Sequence, residues 1–313
     1  MHNMNSELKI SIIICTYNRS KLLLDSLHSL IKDAESPSTY EIIVVDNNSS
    51  DNTEVEAQRF IKQNPDYNLH YAKETLQGLS FARNRGIQEA KAPIVAFFDD
   101  DVIAGKNLIQ NWINFFNSYP QAIGGGGKIL VQFDDPRPNW MPEILLSLFG
   151  KHNYGKNIKK YSGGRYPFGG NLVYRKQAFE KAGVFNTDLG RKGNELSGGE
   201  EKDLFFRVTQ LNDNVYYVPE AYLWHRVGAQ RLTKSYVQGQ AVGIGKSIAV
   251  MLQGKPMGEK ISKLFSELIK FGASLALLLG YTLIGRMSKG ITVLKFRLWV
   301  WSGYFNHCKG LNS

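Results

Sequence analysis

Cysteine is scarce in this 313-residue chain. Cys15 and Cys308 are too few and too far apart for a disulfide framework or a zinc site. That scarcity predicts a reducing, cytoplasmic setting. Low-complexity segments and recognisable internal repeats are missing as well, so the chain reads as globular. Met1 to Lys9 is polar and lacks a signal-peptide pattern, and the apolar run after it suits a strand. The most prominent apolar run, Phe271 to Gly285 (FGASLALLLGYTLIG), falls short of the ~20 residues of a spanning helix. Acids are nearly absent from one end. From Arg226 onward 13 Lys and Arg face only Glu259 and Glu267, whereas up to His225 the balance is 25 basic against 26 acidic. The net charge of +10 therefore arises wholly in the final stretch. A chain of this length can bury a large core, as one α/β domain with an appendage or as two domains.

The sharpest local signal is a buried-strand pattern, Ile94 to Phe98, running into Asp99-Asp100-Asp101. Three adjacent carboxylates repel one another unless a positive charge joins them. A divalent cation is the economical candidate, since hard cations take oxygen ligands and bridge to phosphates. In open α/β sheets the ligand crevice lies at the carboxyl ends of the strands. The competing reading is a turn of solvated acids before the next helix.

Other strand ends carry similar clusters. Ile10 to Cys15 ends in Thr16-Tyr17-Asn18-Arg19, just before a helical pattern whose first amides favour an anion. Tyr17 suits stacking on a base, and Arg19 suits a phosphate. Glu41 to Val45 runs into Asp46-Asn47-Asn48-Ser49-Ser50-Asp51-Asn52-Thr53. Ser50 or Asp51 serves as a helix cap there, which leaves Asp46 and Asn48 as spare acceptors for a base or a ribose. Leu69 to Ala72 is a weaker strand, and the helix after it places Arg83 and Asn84 on one face. The alternation of strands and helices predicts an α/β fold with a mostly parallel sheet covered on both faces. Gly124 to Gly127 signals close approach of a backbone or a ligand. Asp134 to Tyr161 has no clear periodicity and reads as a mobile or acceptor-specific loop.

SIIICTYNR (from Ser11), IVVDNNSSDNT (from Ile43), GLSFARNRG (from Gly78) and the Asp99–Asp101 triplet, in this order, resemble the nucleotide-binding half of glycosyltransferase family 2. Cys15 departs from the proline often found there. The resemblance implies the GT-A fold, a nucleoside-diphosphate-sugar donor, Mn²⁺ or Mg²⁺ at a DxD motif, and inversion at the anomeric carbon. It assigns the donor to Thr16, Tyr17, Asn18, Arg19, Asp46, Asn48, Arg83, Asn84, Asp99, Asp100 and Arg231. Metal ligation falls to Asp99, Asp101 and His225. Gly169, Gly170, Asn171 and Asp203 are placed on the acceptor side. Gly199-Glu200-Glu201-Lys202-Asp203 matches the site of the catalytic carboxylates, with Glu201 in the position of the base and Glu200 beside it. The family usually has Asp where Glu201 stands, so the reach differs by one methylene. No Gln-x-x-Arg-Trp signature of processive synthases occurs, which favours single sugar addition.

The expected organisation is a GT-A domain over residues 1–232, divided into a donor half (1–105) and an acceptor half (106–232), followed by a basic, apolar helical region over 233–313. Basic and apolar residues interleaved in that region suit an anionic membrane better than nucleic acid. A glycan or lipid-linked acceptor at the inner face of the cell membrane follows as the expectation. Two other readings stay open: a sugar-phosphate nucleotidylyltransferase, and a non-catalytic membrane- or polyanion-binding protein of the same fold.

Overall fold

The computed structural model describes residues 8–33, 36–193 and 198–310, so most of the polar Met1-to-Lys9 segment lies outside the described residues. It opens with β1 (Ile10–Thr16), α1 (Ser20–Asp33), β2 (Tyr40–Asp46), α2 (Thr53–Gln63), β3 (Leu69–Lys73), α3 (Leu79–Glu89) and β4 (Ile94–Asp99). The two-residue period of a strand divides each apolar run between two cores. Ile10, Ile12, Ile14, Ile42, Val44, Ala96 and Phe98 enter one cluster with Leu23, Leu27 and Leu30 of α1. Ile13, Ile43, Val45, Val95 and Phe97 enter the other with Ala82 and Ile87 of α3. Helices on both faces explain why these strands show no polar alternation.

Then follow β5 (Val102–Ala104), α4 (Leu108–Ser118), β6 (Gly124–Phe133), β7 (Lys159–Lys160), β8 (Asn171–Arg175), α5 (Lys176–Ala182), α6 (Glu200–Leu211) and β9 (Val215–Val227). The sheet order is β3-β2-β1-β4-β8-β6-β9-β5, with β7 also paired to β9. Pairing is parallel from β3 through β2 and β1 to β4. Beyond β4 the sheet turns antiparallel: β8 against β4 and β6, and β5 and β7 against β9. The parallel character expected from the strand–helix alternation thus belongs to the first half. Register aligns Thr16 with Asp46 and Cys15 with Asp99, which brings the polar ends of β1, β2 and β4 together.

The glycine run forms the start of β6 itself. A Cβ on Gly124 would lie 2.1 Å from the Tyr174 ring, and one on Gly127 would lie 2.1 Å from the Ala221 carbonyl oxygen. Close approach of neighbouring strands, one of the two readings of this run, accounts for it. Asn171 is fully buried beside it. Its Nδ2 donates to the Ala221 carbonyl at 2.9 Å, and its Oδ1 accepts from Trp112 Nε1 at 3.1 Å.

The chain forms two compact units. Met1–Gln132, Gly150–Thr187 and Glu200–Arg226 make the first; Phe133–Phe149, Asp188–Gly199 and Val227–Ser313 make the second. The second contains α7 (Lys234–Met251), α8 (Met257–Leu283) and α9 (Met287–Gly310). Helices α7 and α9 touch backbone to backbone: a Cβ on Gly303 would lie 2.1 Å from the Val242 carbonyl oxygen. The 27 residues of α8 reach about 40 Å at the helical rise. Its most apolar window has a mean hydropathy of 1.4 and is 11% buried, too open for a core helix. Among the described residues α8 is the one helix long and apolar enough to cross a membrane. Its buried Glu267 is held by Lys263 at 3.0 Å, Lys270 at 2.6 Å and, across to α9, Arg297 at 3.7 Å.

Asn171→Leu keeps the branched shape, with slightly larger methyl groups, but strands the Trp112 N–H and the Ala221 carbonyl. Urea unfolding should show a loss on the order of 1–3 kcal/mol, the cost of an unsatisfied buried group. Unchanged stability would return Asn171 to the acceptor role expected from the sequence.

Candidate functional site

The carboxyl ends of β1, β2 and β4 converge on the acidic triplet. Thr16 Oγ1 donates to Asp100 Oδ2 at 2.8 Å, and Arg19 Nη1 lies 2.8 Å from Asp100 Oδ1 and 3.1 Å from Asp101 Oδ2. Burial pushes the Asp100 carboxyl above its ordinary value against the pull of Arg19, whose own guanidinium is raised chiefly by Asp100. Pairing of Val102 with His225 across β5 and β9 sets His225 Nε2 3.0 Å from Asp101 Oδ1. Ligating atoms of Asp99, Asp101 and His225 all lie within 4.8 Å of one another. Two carboxylates and an imidazole form a donor set that fits a divalent cation. Part of the positive charge demanded by the triplet comes from Arg19 itself.

Asn18 joins this loop to the one after β2. It adopts the left-handed conformation (φ 53°), which Asn tolerates better than most residues. Its Oδ1 accepts from the backbone N–H of Ser50 at 2.7 Å and of Asp51 at 3.3 Å. Asp46 is fully buried, with Oδ1 accepting from Ser49 N at 2.8 Å and Oδ2 from the Tyr71 hydroxyl at 3.0 Å. Tyr17 is half-buried and Asn48 is exposed at the loop surface.

A second carboxylate group lies at the start of α6. Glu200 is buried, and its Oε1 accepts from Arg83 Nη1 at 2.7 Å. Glu201, half-buried, has a buried Oε2 without a hydrogen-bond partner. Burial first, and the neighbouring Glu200 second, push the Glu201 carboxyl up to about 8. Gly169 and Gly170 leave room for functional side chains. A Cβ on Gly169 would lie 2.3 Å from Arg83 Nη2, and one on Gly170 would lie 2.6 Å from Asp99 Oδ2. The Cys15 thiol is pushed up to about 12, mainly by burial, and is neutral at working pH.

Three residues expected at the site have hydrogen-bond or ion-pair partners elsewhere, and a fourth lies in the second unit. Asn84 donates to the Phe185 carbonyl and accepts from its N–H, both at 2.9 Å, so its amide braces backbone. Asn171 holds Trp112 and Ala221 as described above. Asp203 pairs with Arg207 at 2.7 Å, four residues along the same helix. Arg231 is buried in a short turn before α7, in the second unit.

Sequence reasoning missed Ser26, Asn47 and Tyr71. Ser26 Oγ donates towards the carbonyls of Asp100 (2.9 Å) and Val102 (2.8 Å) and accepts from Val102 N at 2.9 Å, fixing the backbone of the triplet. A serine on the Leu23-Leu27-Leu30 face of α1 was the available signal. Asn47 Oδ1 accepts from Gly78 N at 2.7 Å, and its Nδ2 donates to the Leu76 carbonyl at 2.7 Å.

Comparison with known proteins agrees with this geometry. Residues 11–183, more than half of the chain, match the model of Glycosyl transferase family 2. A glucosyl-dolichyl phosphate glucuronosyltransferase of Haloferax volcanii is 25% identical over 249 residues, covering 78% of this chain and 77% of that protein. A poly(ribitol-phosphate) beta-glucosyltransferase of Bacillus spizizenii is 31% identical over 225 residues, 68% of this chain but 34% of the relative. In fold, the chain is similar to a mannosyltransferase from Pyrobaculum calidifontis solved with GDP-Man and Mn²⁺. The TM-score is 0.67 at 16% identity, over 96% of this chain and 87% of that one. With the strand-end motifs, the acidic triplet and the GT-A architecture all in place, the chain belongs to glycosyl transferase family 2 and is a glycosyltransferase.

Proposed function

We propose that this glycosyltransferase is metal-dependent and inverting, and moves a sugar from a UDP-linked donor to a hydroxyl on a glycan or lipid-linked acceptor. The convergence of Asp99, Asp101 and His225 within 4.8 Å carries the reading. A divalent cation held by these three side chains would neutralise the leaving diphosphate. Arg19, 32% exposed at its side chain, adds fixed positive charge beside the diphosphate position. Tyr17 and Asn48 line the nucleoside side, while buried Asp46 braces the loop beneath. Glu201 takes the proton of the acceptor hydroxyl as that oxygen attacks the anomeric carbon from the face opposite the diphosphate, which inverts the centre. The two named relatives act, by their names, on a dolichyl-phosphate-linked sugar and on a poly(ribitol-phosphate). An acceptor attached to phosphate or lipid suits the basic, apolar second unit of this chain. Outward-facing apolar residues of α8, such as Phe265, Leu279 and Leu283, together with the local basic excess, suit an anionic bilayer at the cytoplasmic face.

Calorimetry with UDP in the presence and absence of Mn²⁺ tests the metal. Affinity should depend on Mn²⁺ in the parent and lose that dependence in Asp101→Ala. Loss of the Arg19 and His225 contacts of buried Asp101 should lower the mutant's metal-free stability while the sheet still forms. Equal UDP affinity with and without Mn²⁺ in the parent removes the metal from the reading.

Glu201→Gln should retain UDP binding and lower transfer roughly 10²–10⁴-fold, the usual weight of a general base. A base must be deprotonated to act, so the parent's rate should rise with pH through about 8 and fall below it. A rate within a few-fold of the parent would shift the base role elsewhere.

The full chain should sediment with vesicles containing anionic lipid, and less so at high salt. A chain that stays in the supernatant at low salt contradicts the membrane reading.

A further inference from the structure

The sequence pattern sends Arg83 to the nucleotide, yet its guanidinium is buried, 3% exposed, and its Nη1 donates to Glu200. Three features hold it there. The Phe185 ring lies beneath it, with the guanidinium carbon 5.2 Å from the ring centre. Phe185 is fixed in turn by the two Asn84 hydrogen bonds to its backbone. Gly169 supplies the space, since a Cβ there would lie 2.3 Å from Nη2 and 3.1 Å from Cζ. Any other residue at 169 would have to displace the guanidinium. The far oxygen of Glu200, like Oε2 of Glu201, is buried without a hydrogen-bond partner. Arg83 is therefore the charged anchor of this carboxylate pair, through its hydrogen bond to Glu200.

We infer that Arg83 is a positioning residue, fixing Glu200 and through the first turn of α6 the carboxylate of Glu201, and that the missing side chain at Gly169 is what admits it. The inference rests on Glu201 as the base. It gives Glu200 and Arg83 opposing influences on one proton. Glu200 disfavours the anion of Glu201 by like charge, whereas Arg83 favours it. Tyr166 and Tyr174 also face Glu201, and Lys202 lies over the Tyr166 ring. Asp99 and Cys15 act on Arg83 from β4 and β1.

The test needs no acceptor. Infrared difference spectra of the protein follow the protonated carboxyl band that Glu201→Gln abolishes, and calorimetry follows UDP with Mn²⁺. Glu200→Gln should move the midpoint of that band to lower pH, and Arg83→Gln to higher pH, each by about half a unit or more. UDP affinity with Mn²⁺ should stay within about threefold of the parent in both, because the contact lies at the acceptor-side carboxylates. Should Arg83→Gln fail to fold, Arg83→Lys and Gly169→Ala loosen the same contact and should shift the midpoint upward too. If Arg83→Lys instead weakens UDP about tenfold with the midpoint unmoved, Arg83 is a nucleotide ligand and the inference is overturned. Failure of the parent reading looks different: Glu201→Gln would then transfer at the parent rate, whatever Arg83 does.

Discussion

Gathering three carboxylates at the end of one strand is the constraint from which much of the first unit follows. Asp99, Asp100 and Asp101 cannot sit together unless distant parts of the chain bring hydrogen bonds and positive charge. Thr16 and Arg19 come from the end of β1, Ser26 from α1, and His225 from a strand more than a hundred residues later. The resulting contacts tie the acidic turn to both the parallel and the antiparallel parts of the sheet. The polar cluster is thus a device for holding elements together.

A second acidic pair follows the same rule with a different solution. At Glu200 and Glu201 a single guanidinium serves one acid, and the other remains half-buried with a raised affinity for its proton. One cluster places carboxylates beside an imidazole in a set that could hold a cation; the other leaves one carboxyl with its proton affinity raised. The difference lies in where the guanidinium stands, since Arg19 reaches both Asp100 and Asp101 whereas Arg83 bonds Glu200.

Strands were legible because burial on both faces leaves an apolar signature that needs no knowledge of the partner. The acidic triplet and the loops after β1 and β2 were legible because so many polar groups at strand ends exceed what caps require. Amides were harder to read. Asn84 and Asn171 carry the same side chain that binds ligands elsewhere, and their partners lie 101 and 50 residues away, so only the folded chain shows that they are engaged. Asp203 was more accessible, since Arg207 four residues on is the ordinary helical spacing for an ion pair. The antiparallel half of the sheet was illegible for a related reason. The stretch between β6 and β8 has little regular structure, and the helices between β5 and β6 and between β8 and β9 do not by themselves fix strand direction.

The four glycines that begin β6 bear on how the sheet assembles. A strand stabilises its early pairing through side chains that cover neighbouring rows, and Gly124 to Gly127 offer none. The walls of their slot, the Tyr174 ring among them, come from other elements. The fit of this segment therefore depends on walls that other elements supply. Pairings of such long sequence separation as Gly124 with Tyr174 carry a high cost in chain entropy, and this strand start offers no side chains of its own to offset it.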